Sequence, residues 1–262
     1  MNLDLSGKYA IVCGSTQGLG FASARELALL GANVTLVARN EEKLKEAVTK
    51  LDTSKGQKHN YFVADFQFPE QVKSAVQNHL AAYSTVNILV NNTGGPKGGA
   101  ALEANAEEYL QAFNSHLICN HILVQAVVPS MKSSGYGRII NIISTSVKQP
   151  IPELGVSNTI RGAVASWAKT LAGELGQFGI TVNNVLPGYT KTSRYDSLMR
   201  NKATATGKSL DEVEKSLVTD IPLKRIGTPE EFGAAVAFLC TPAAGYINGI
   251  NLPVDGGRLQ TL

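Results

Sequence analysis

Charge is scarce in this chain. Of its 262 residues 17% are charged, and the formal net charge is +3. So small an imbalance argues against nucleic acid or an anionic membrane surface as a partner. No apolar run approaches the length needed to span a bilayer. Residues 1–20 hold Asp4 and lack a long apolar core, so no signal peptide is expected and the reading is a cytoplasmic protein. Cysteine is rare. Cys13, Cys119 and Cys240 lie far apart in apolar segments, which argues against a disulfide framework and fits buried thiols in a reducing compartment. The histidines, His59, His79, His116 and His121, show no metal-ligand spacing, and His116 and His121 fall on different faces of a helix. Internal repeats, low-complexity stretches and domain linkers are missing too. What is present is a chain 44% hydrophobic, enough for one large α/β domain over 1–262 with a full core.

The stretch from Tyr9 to Arg39 organises the rest. Residues 9–13 are a short apolar run that reads as a buried strand, and Gly14-Ser15-Thr16-Gln17-Gly18-Leu19-Gly20 follows at once. Residues 21–30 have helical apolar spacing, stopped by Gly31, and a second strand over 33–38 closes a β-α-β unit. Glycines there let a strand turn sharply into a helix and leave room for a ligand. The helix N-terminus offers free N–H groups and a positive dipole end to a phosphate. That is the physics of a dinucleotide site, although the spacing is G-x-x-x-G-x-G. A tight structural turn is the alternative.

Strands and helices then alternate. Strands are expected at 61–64, 86–90, 138–143, 181–186 and 250–254. Helices are expected at 41–51, 69–83, 106–133, 156–178 and 229–239, with a polar, partly helical lid over about 190–227. The pattern predicts an α/β fold, a doubly wound parallel sheet of the Rossmann type with helices on both faces. Ligands on such sheets bind beyond the carboxyl ends of the strands, where Gly14, Asp65, Asn91, Ser144 and Pro187 fall.

Gly14-(x3)-Gly18-x-Gly20, Asn91-Asn92-Thr93-Gly94, Gly137-Arg138-Ile139, Pro187-Gly188 and Val254-Asp255-Gly256-Gly257 together resemble the short-chain dehydrogenase/reductase family over almost the whole chain. The resemblance is strongest to its 3-oxoacyl-acyl-carrier-protein reductase branch. It implies that Gly14, Gly18 and Gly20, with Leu19 between them, hold a pyrophosphate. It also implies that Asp65 meets the adenine amino group, that Asn91 and Gly94 meet the ribose region, and that Thr192, past Pro187 and Gly188, meets the nicotinamide amide. The family's catalytic group is Asn-Ser-Tyr-Lys, and here the chain departs from it. Ser144 holds the serine position, but the tyrosine position is Ser157, the lysine position Arg161 and the asparagine position His116.

A serine hydroxyl is a far poorer acid than a phenol. Arg161 keeps the charge and a fork of donors for ribose hydroxyls but does not deprotonate in proteins. His116, with a reference pKa near neutrality, is the candidate substitute acid, and Tyr189 the other. Packing in the interior and packing under the lid are the respective alternatives. After the second strand stand Ala38 and Arg39, with no carboxylate to accept ribose hydroxyls. Arg39, helped by Ser15 and Gln17, suits a 2′-phosphate, so NADP(H) is expected over NAD(H). The alternative pairs Arg39 with Glu41 or Glu42. Cations on the lid (Arg194, Arg200, Lys202, Lys208, Lys215, Lys224 and Arg225) alternate with acids and read as a solvated face. Small residues such as Gly162, Ala163 and Ser166 on the 156–178 helix predict a homodimer or homotetramer through that helix and the 106–133 helix. The leading reading is an oxidoreductase acting on a small carbonyl or alcohol. A nucleotide-binding sensor or partner subunit without turnover, and a structural subunit keeping only the fold, stay open beside it.

Overall fold

The computed structural model describes residues 1–261. Its strands are β1 (Tyr9–Cys13), β2 (Asn33–Ala38), β3 (Asn60–Val63), β4 (Ile88–Asn91), β5 (Gly137–Ile142), β6 (Ile180–Pro187) and β7 (Asn251–Val254). The helices are α1 (Gly18–Leu29), α2 (Glu41–Val48), α3 (Pro69–Ala82), α4 (Ala106–Phe113), α5 (Cys119–Ser134), α6 (Gly155–Leu175), α7 (Ser193–Thr206), α8 (Leu210–Thr219) and α9 (Pro229–Leu239). All seven strands form one parallel sheet in the order β3-β2-β1-β4-β5-β6-β7, so the order reverses between β1 and β4. This is the doubly wound fold that the alternation implied.

Successive strand residues serve opposite layers. Val12, Leu36, Val90 and Ile140 pack under Leu27 of α1 and Phe232 and Val236 of α9. Ile11, Leu89, Ile139 and Val182 pack under Val76 of α3, Leu123 and Val127 of α5, and Ala168 of α6. Both faces of the central strands are covered, which is why those strands read as continuous apolar runs. Cys13, Cys119 and Cys240 are free and buried, and burial raises all three thiols, Cys119 and Cys240 to about 12. No helix among the described residues is long and apolar enough to cross a membrane.

Two expected helices differ in a way that matters to the site. The span 106–133 is not one α-helix: α4 passes into a π-helical turn, Asn114–Ile118, before α5 begins. A π turn inserts one extra residue per turn and re-aims the side chains on it. The span 156–178 ends earlier as α-helix, at Leu175, and finishes as the 3-10 turn Gly176–Phe178. The 190–227 segment is α7 and α8, joined over the small core of Tyr195, Met199, Val213 and Leu217.

The register of β4 to β7 sets Asn91, Asn141, Asn184 and Asn251 side by side. Their amides form a ladder: Asn91 Nδ2 donates to Asn141 Oδ1 at 2.9 Å, Asn141 to Asn184 at 2.9 Å, and Asn184 to Asn251 at 2.8 Å. The ladder crosses four strands, from the last residue of β4 to the first residue of β7.

Candidate active site

Helix ends separate this region from the rest of the surface. Asn40, Asn105, Thr192, Ser209 and Thr228 cap α2, α4, α7, α8 and α9 with side-chain oxygens, and each of those helices carries an acid in its first turn. By contrast, α1 and α6 have neither a side-chain cap nor a first-turn acid. The first N–H groups of α1 keep an uncompensated partial positive charge at the carboxyl edge of the sheet, whereas in α6 the Gly155 N–H donates to the Gly99 carbonyl at 3.0 Å.

The glycine turn at the head of α1 answers two demands. Gly14 and Gly18 have φ of +56° and +60°, the left-handed region that glycine enters without strain. A Cβ on Gly14 would stand 2.7 Å from Asn92 Nδ2, and one on Gly20 would collide with the Gly14 carbonyl and lie 2.8 Å from the same amide. Asn92 in turn donates to the carbonyls of Cys13 (3.3 Å) and Gly14 (3.2 Å), tying the 91–95 turn to the glycine turn. Space around Gly18 is open apart from Thr192, whose methyl would lie 3.6 Å from an added Cβ, and Gly94 faces open space. The cradle therefore fits a diphosphate between Gly18, the uncapped α1 N-terminus and Gly94. Leu19 is half-buried beside it and Gln17 is exposed.

Some expected contacts are redirected. Ser15 is fully buried, its hydroxyl donating to the Val12 carbonyl at 2.7 Å and accepting from Val37 N–H at 3.0 Å. It ties β1 to β2 and does not reach a ligand, so of the two polar turn residues only Gln17 faces outward. The Asn91 side chain is 1% exposed and belongs to the amide ladder, turned into the sheet rather than toward a ribose. Asp65 is half-buried and accepts from Gln67 N–H at 3.0 Å, an Asx turn at the end of β3. Gly188, after Pro187, donates its N–H to Val254 and has no room for a Cβ beside Asp255. Thr192 accepts from Tyr195 N–H at 3.3 Å. Arg39 is exposed and makes no ion pair among the described residues, while Glu41 and Glu42 both engage Lys45.

At the reacting end, Ser144 follows β5 and accepts from Ser146 N–H at 3.1 Å, leaving its own proton free. Ser157 and Arg161 stand one turn apart on α6, hence on one face. Ser157 is half-buried and its hydroxyl has no protein partner. Arg161 is only 8% exposed; its Nη1 donates to the Ile142 carbonyl at 3.2 Å, and its Nε has no partner. Burial, then the neighbouring Arg194, lower its pKa to about 10, so it stays charged at neutral pH.

His116 is not the acid expected. It sits in the π turn, 2% exposed, beside the Gly94 carbonyl. Burial first, then Arg161 and Arg194, hold its pKa well below 6.5. A neutral imidazole, with one N–H and one lone pair, is no ready source of a proton. Tyr189 is also accounted for: its ring packs edge-on to Tyr195 at 6.5 Å, with the Arg258 guanidinium over its face at 4.7 Å.

Residues to which the sequence assigned no role of their own now enter. Asn92 binds the two turns together, and Asn141, Asn184 and Asn251 complete the ladder. Among the lid cations Lys215 pairs with Asp211 and Arg225 with Glu231, a solvated face as expected. Arg194 differs: its guanidinium leaves the lid surface and reaches the Gly95 carbonyl at 3.5 Å. The one signal available was its place two residues after Thr192.

A family model described as enoyl-(acyl carrier protein) reductase matches residues 14–258. The chain belongs to the short-chain dehydrogenase/reductase family. It is 34% identical to a tropinone reductase homologue of Arabidopsis thaliana over 97% of this chain and 92% of that protein. It is 31% identical to the 3-oxoacyl-[acyl-carrier-protein] reductase of Chlamydia muridarum over 98% and 99% of the two chains. Among solved structures, L-sorbose reductase from Gluconobacter frateurii, complexed with NADPH and L-sorbose, superposes with a TM-score of 0.94 at 32% identity, covering all of both chains. Actinorhodin polyketide ketoreductase with NADPH gives 0.88 at 30% identity over 96% of this chain and 97% of that one. The likeness to the 3-oxoacyl reductase branch is thereby supported.

Proposed function

We propose that this short-chain dehydrogenase/reductase is an NADP(H)-dependent oxidoreductase of a small carbonyl or alcohol, working without a phenol–ammonium pair. The observation that carries this is the open cradle formed by Gly18, Gly94 and the uncapped, acid-free N-terminus of α1. NADPH in the solved relatives supports the dinucleotide, and an exposed, unpaired Arg39 supports the 2′-phosphate.

Bound NADPH supplies a hydride. The chain's part is to place and polarise the carbonyl, and the free hydroxyl protons of Ser144 and Ser157 are the donors available for its oxygen. Arg161, charged and buried beside them, stabilises the negative charge that develops there. No phenol or imidazolium stands ready to protonate the product, so water does so. A homodimer or homotetramer through α4–α5 and α6 is consistent with exposed Leu110 and with Gly162, whose added Cβ would meet nothing within 4 Å.

Titration with NADPH and NADH, followed by a carbonyl screen, tests the reading. NADPH should bind about tenfold or more tightly than NADH, and Arg39→Asp should reverse the order. Equal or tighter NADH binding by the unaltered protein would refute the preference. The missing phenol favours one second reading, a dinucleotide-binding sensor without turnover. Intact NADPH binding with no turnover across the screen selects it.

A further inference from the structure

The reacting end holds two guanidiniums. Arg161 and Arg194 both stand near enough to His116 to depress its pKa, and Arg194 near enough to Arg161 to do the same. Neither arginine makes an ion pair among the described residues; their protein contacts are the carbonyls of Ile142 and Gly95. Arg161 is the informative one. It is more than nine-tenths buried, only its Nη1 has an acceptor, and its Nε is enclosed without one. Keeping a charge out of water without a counter-charge is costly, and buried charges are as a rule paired. The first turn of α6 holds no acid.

We propose that Arg161 and Arg194 form a subsite for a carboxylate carried by the substrate, so that the protein acts on an oxo acid rather than a neutral ketone. The proposal deepens the oxidoreductase reading and rests on it for the identity of the reacting group. A guanidinium fork matches a carboxylate in geometry and charge, whereas a bound neutral ketone would leave both arginines without a counter-charge before reaction. The position favours the substrate over the dinucleotide's diphosphate as the source of the anion. Arg161 bonds the carbonyl of Ile142, two residues before Ser144, and lies one turn from Ser157. The diphosphate cradle is at Gly18 and Gly94. Arg194 reaches the Gly95 carbonyl from the helix that Thr192 caps.

Binding of benzoylformate and of its methyl ester is measured by calorimetry, with and without saturating NADP+, in the unaltered protein, Arg194→Ala and Arg161→Lys. NADPH affinity is measured alongside by nucleotide fluorescence. The acid should bind about tenfold or more tightly than the ester. Arg194→Ala, an exposed position that does not threaten the fold, should remove most of that preference and leave ester and NADPH affinity within about twofold. Arg161→Lys keeps the charge, loses the fork, and should retain part of the preference. Acid and ester binding equally, or neither binding, overturns the subsite. Loss of NADPH affinity in Arg194→Ala with the acid preference intact assigns the arginine to the diphosphate and overturns it too. Failure of the unaltered protein to bind NADPH refutes the oxidoreductase reading alone, because the acid–ester comparison without dinucleotide still decides the subsite.

Discussion

The two ends of the site obey different constraints. At the dinucleotide end the fold and the ligand ask for the same residues. Gly14 and Gly20 are enforced by Asn92 and by each other, and removing those side chains also clears the cradle. At the reacting end nothing in the packing asks for a phenol. Ser157 is half-buried with an unpaired hydroxyl, Arg161 is held by one carbonyl, and His116 is buried in the π turn. An intact glycine turn is therefore evidence for binding and not for chemistry. The fold preserves it whether or not the other end reduces anything.

The largest test restores the missing pair. Ser157→Tyr with Arg161→Lys should raise the reduction rate of a neutral ketone by about 10²–10⁴, the contribution of a positioned acid. Steady-state assay of the double variant checks it, with circular dichroism to confirm that the ring is accommodated. No gain in a folded variant would mean that the reacting end is built for something other than protonating an alkoxide.

Next come the glycines, which distinguish fold demand from ligand demand. Gly20→Ala places a methyl against the Gly14 carbonyl and should cost about 1–3 kcal/mol of stability together with dinucleotide affinity. Gly94→Ala meets nothing in the protein and should leave the melting temperature unchanged while weakening NADPH. Equal melting losses in the two would break the distinction.

The amide ladder should show a loss of similar size in stability alone. Asn141→Leu keeps the volume but leaves Asn91 Nδ2 without an acceptor and Asn184 Oδ1 without a donor. Each buried group left unpaired costs about 1–3 kcal/mol, read by chemical denaturation.

The smallest effect is in pH. Burial and two guanidiniums depress His116 in the folded protein, whereas an unfolded histidine titrates at about 6.5. Unfolding therefore takes up a proton at acid pH, and the stability held above about pH 6.5 is lost as pH falls below it. Buried His79 acts in the same direction. His116→Asn should flatten melting temperature against pH between about 5 and 7. It should introduce no step in the reduction rate over that range, since the imidazole is already neutral. A rate falling as pH rises, abolished by the substitution, would make His116 an acid after all.

Much of the fold was legible from local pattern. Apolar runs of 9–13 and 33–38 around a glycine turn dictate β1, α1 and β2, because strand, sharp turn and amphipathic helix are each decided within a few residues. Ser144, Ser157 and Arg161 stand at positions that the family resemblance, rather than local pattern, supplied. What the sequence by itself could not decide depends on neighbours distant in the chain. Asn91, Asn141, Asn184 and Asn251 are spread over 161 positions and became a ladder only when parallel register aligned them. Ser15 and Asn91 looked available to a ligand until their strands closed over them. His116 was given the pKa of a free imidazole, and burial under a π turn beside Arg161 and Arg194 lowered it. Arg194 read as one more lid cation until α7 brought it over Gly95. Local conformation follows from adjacent residues through sterics and hydrogen bonding. Charge state, exposure and free valence follow from what the tertiary fold places around a group, and only the fold could set them.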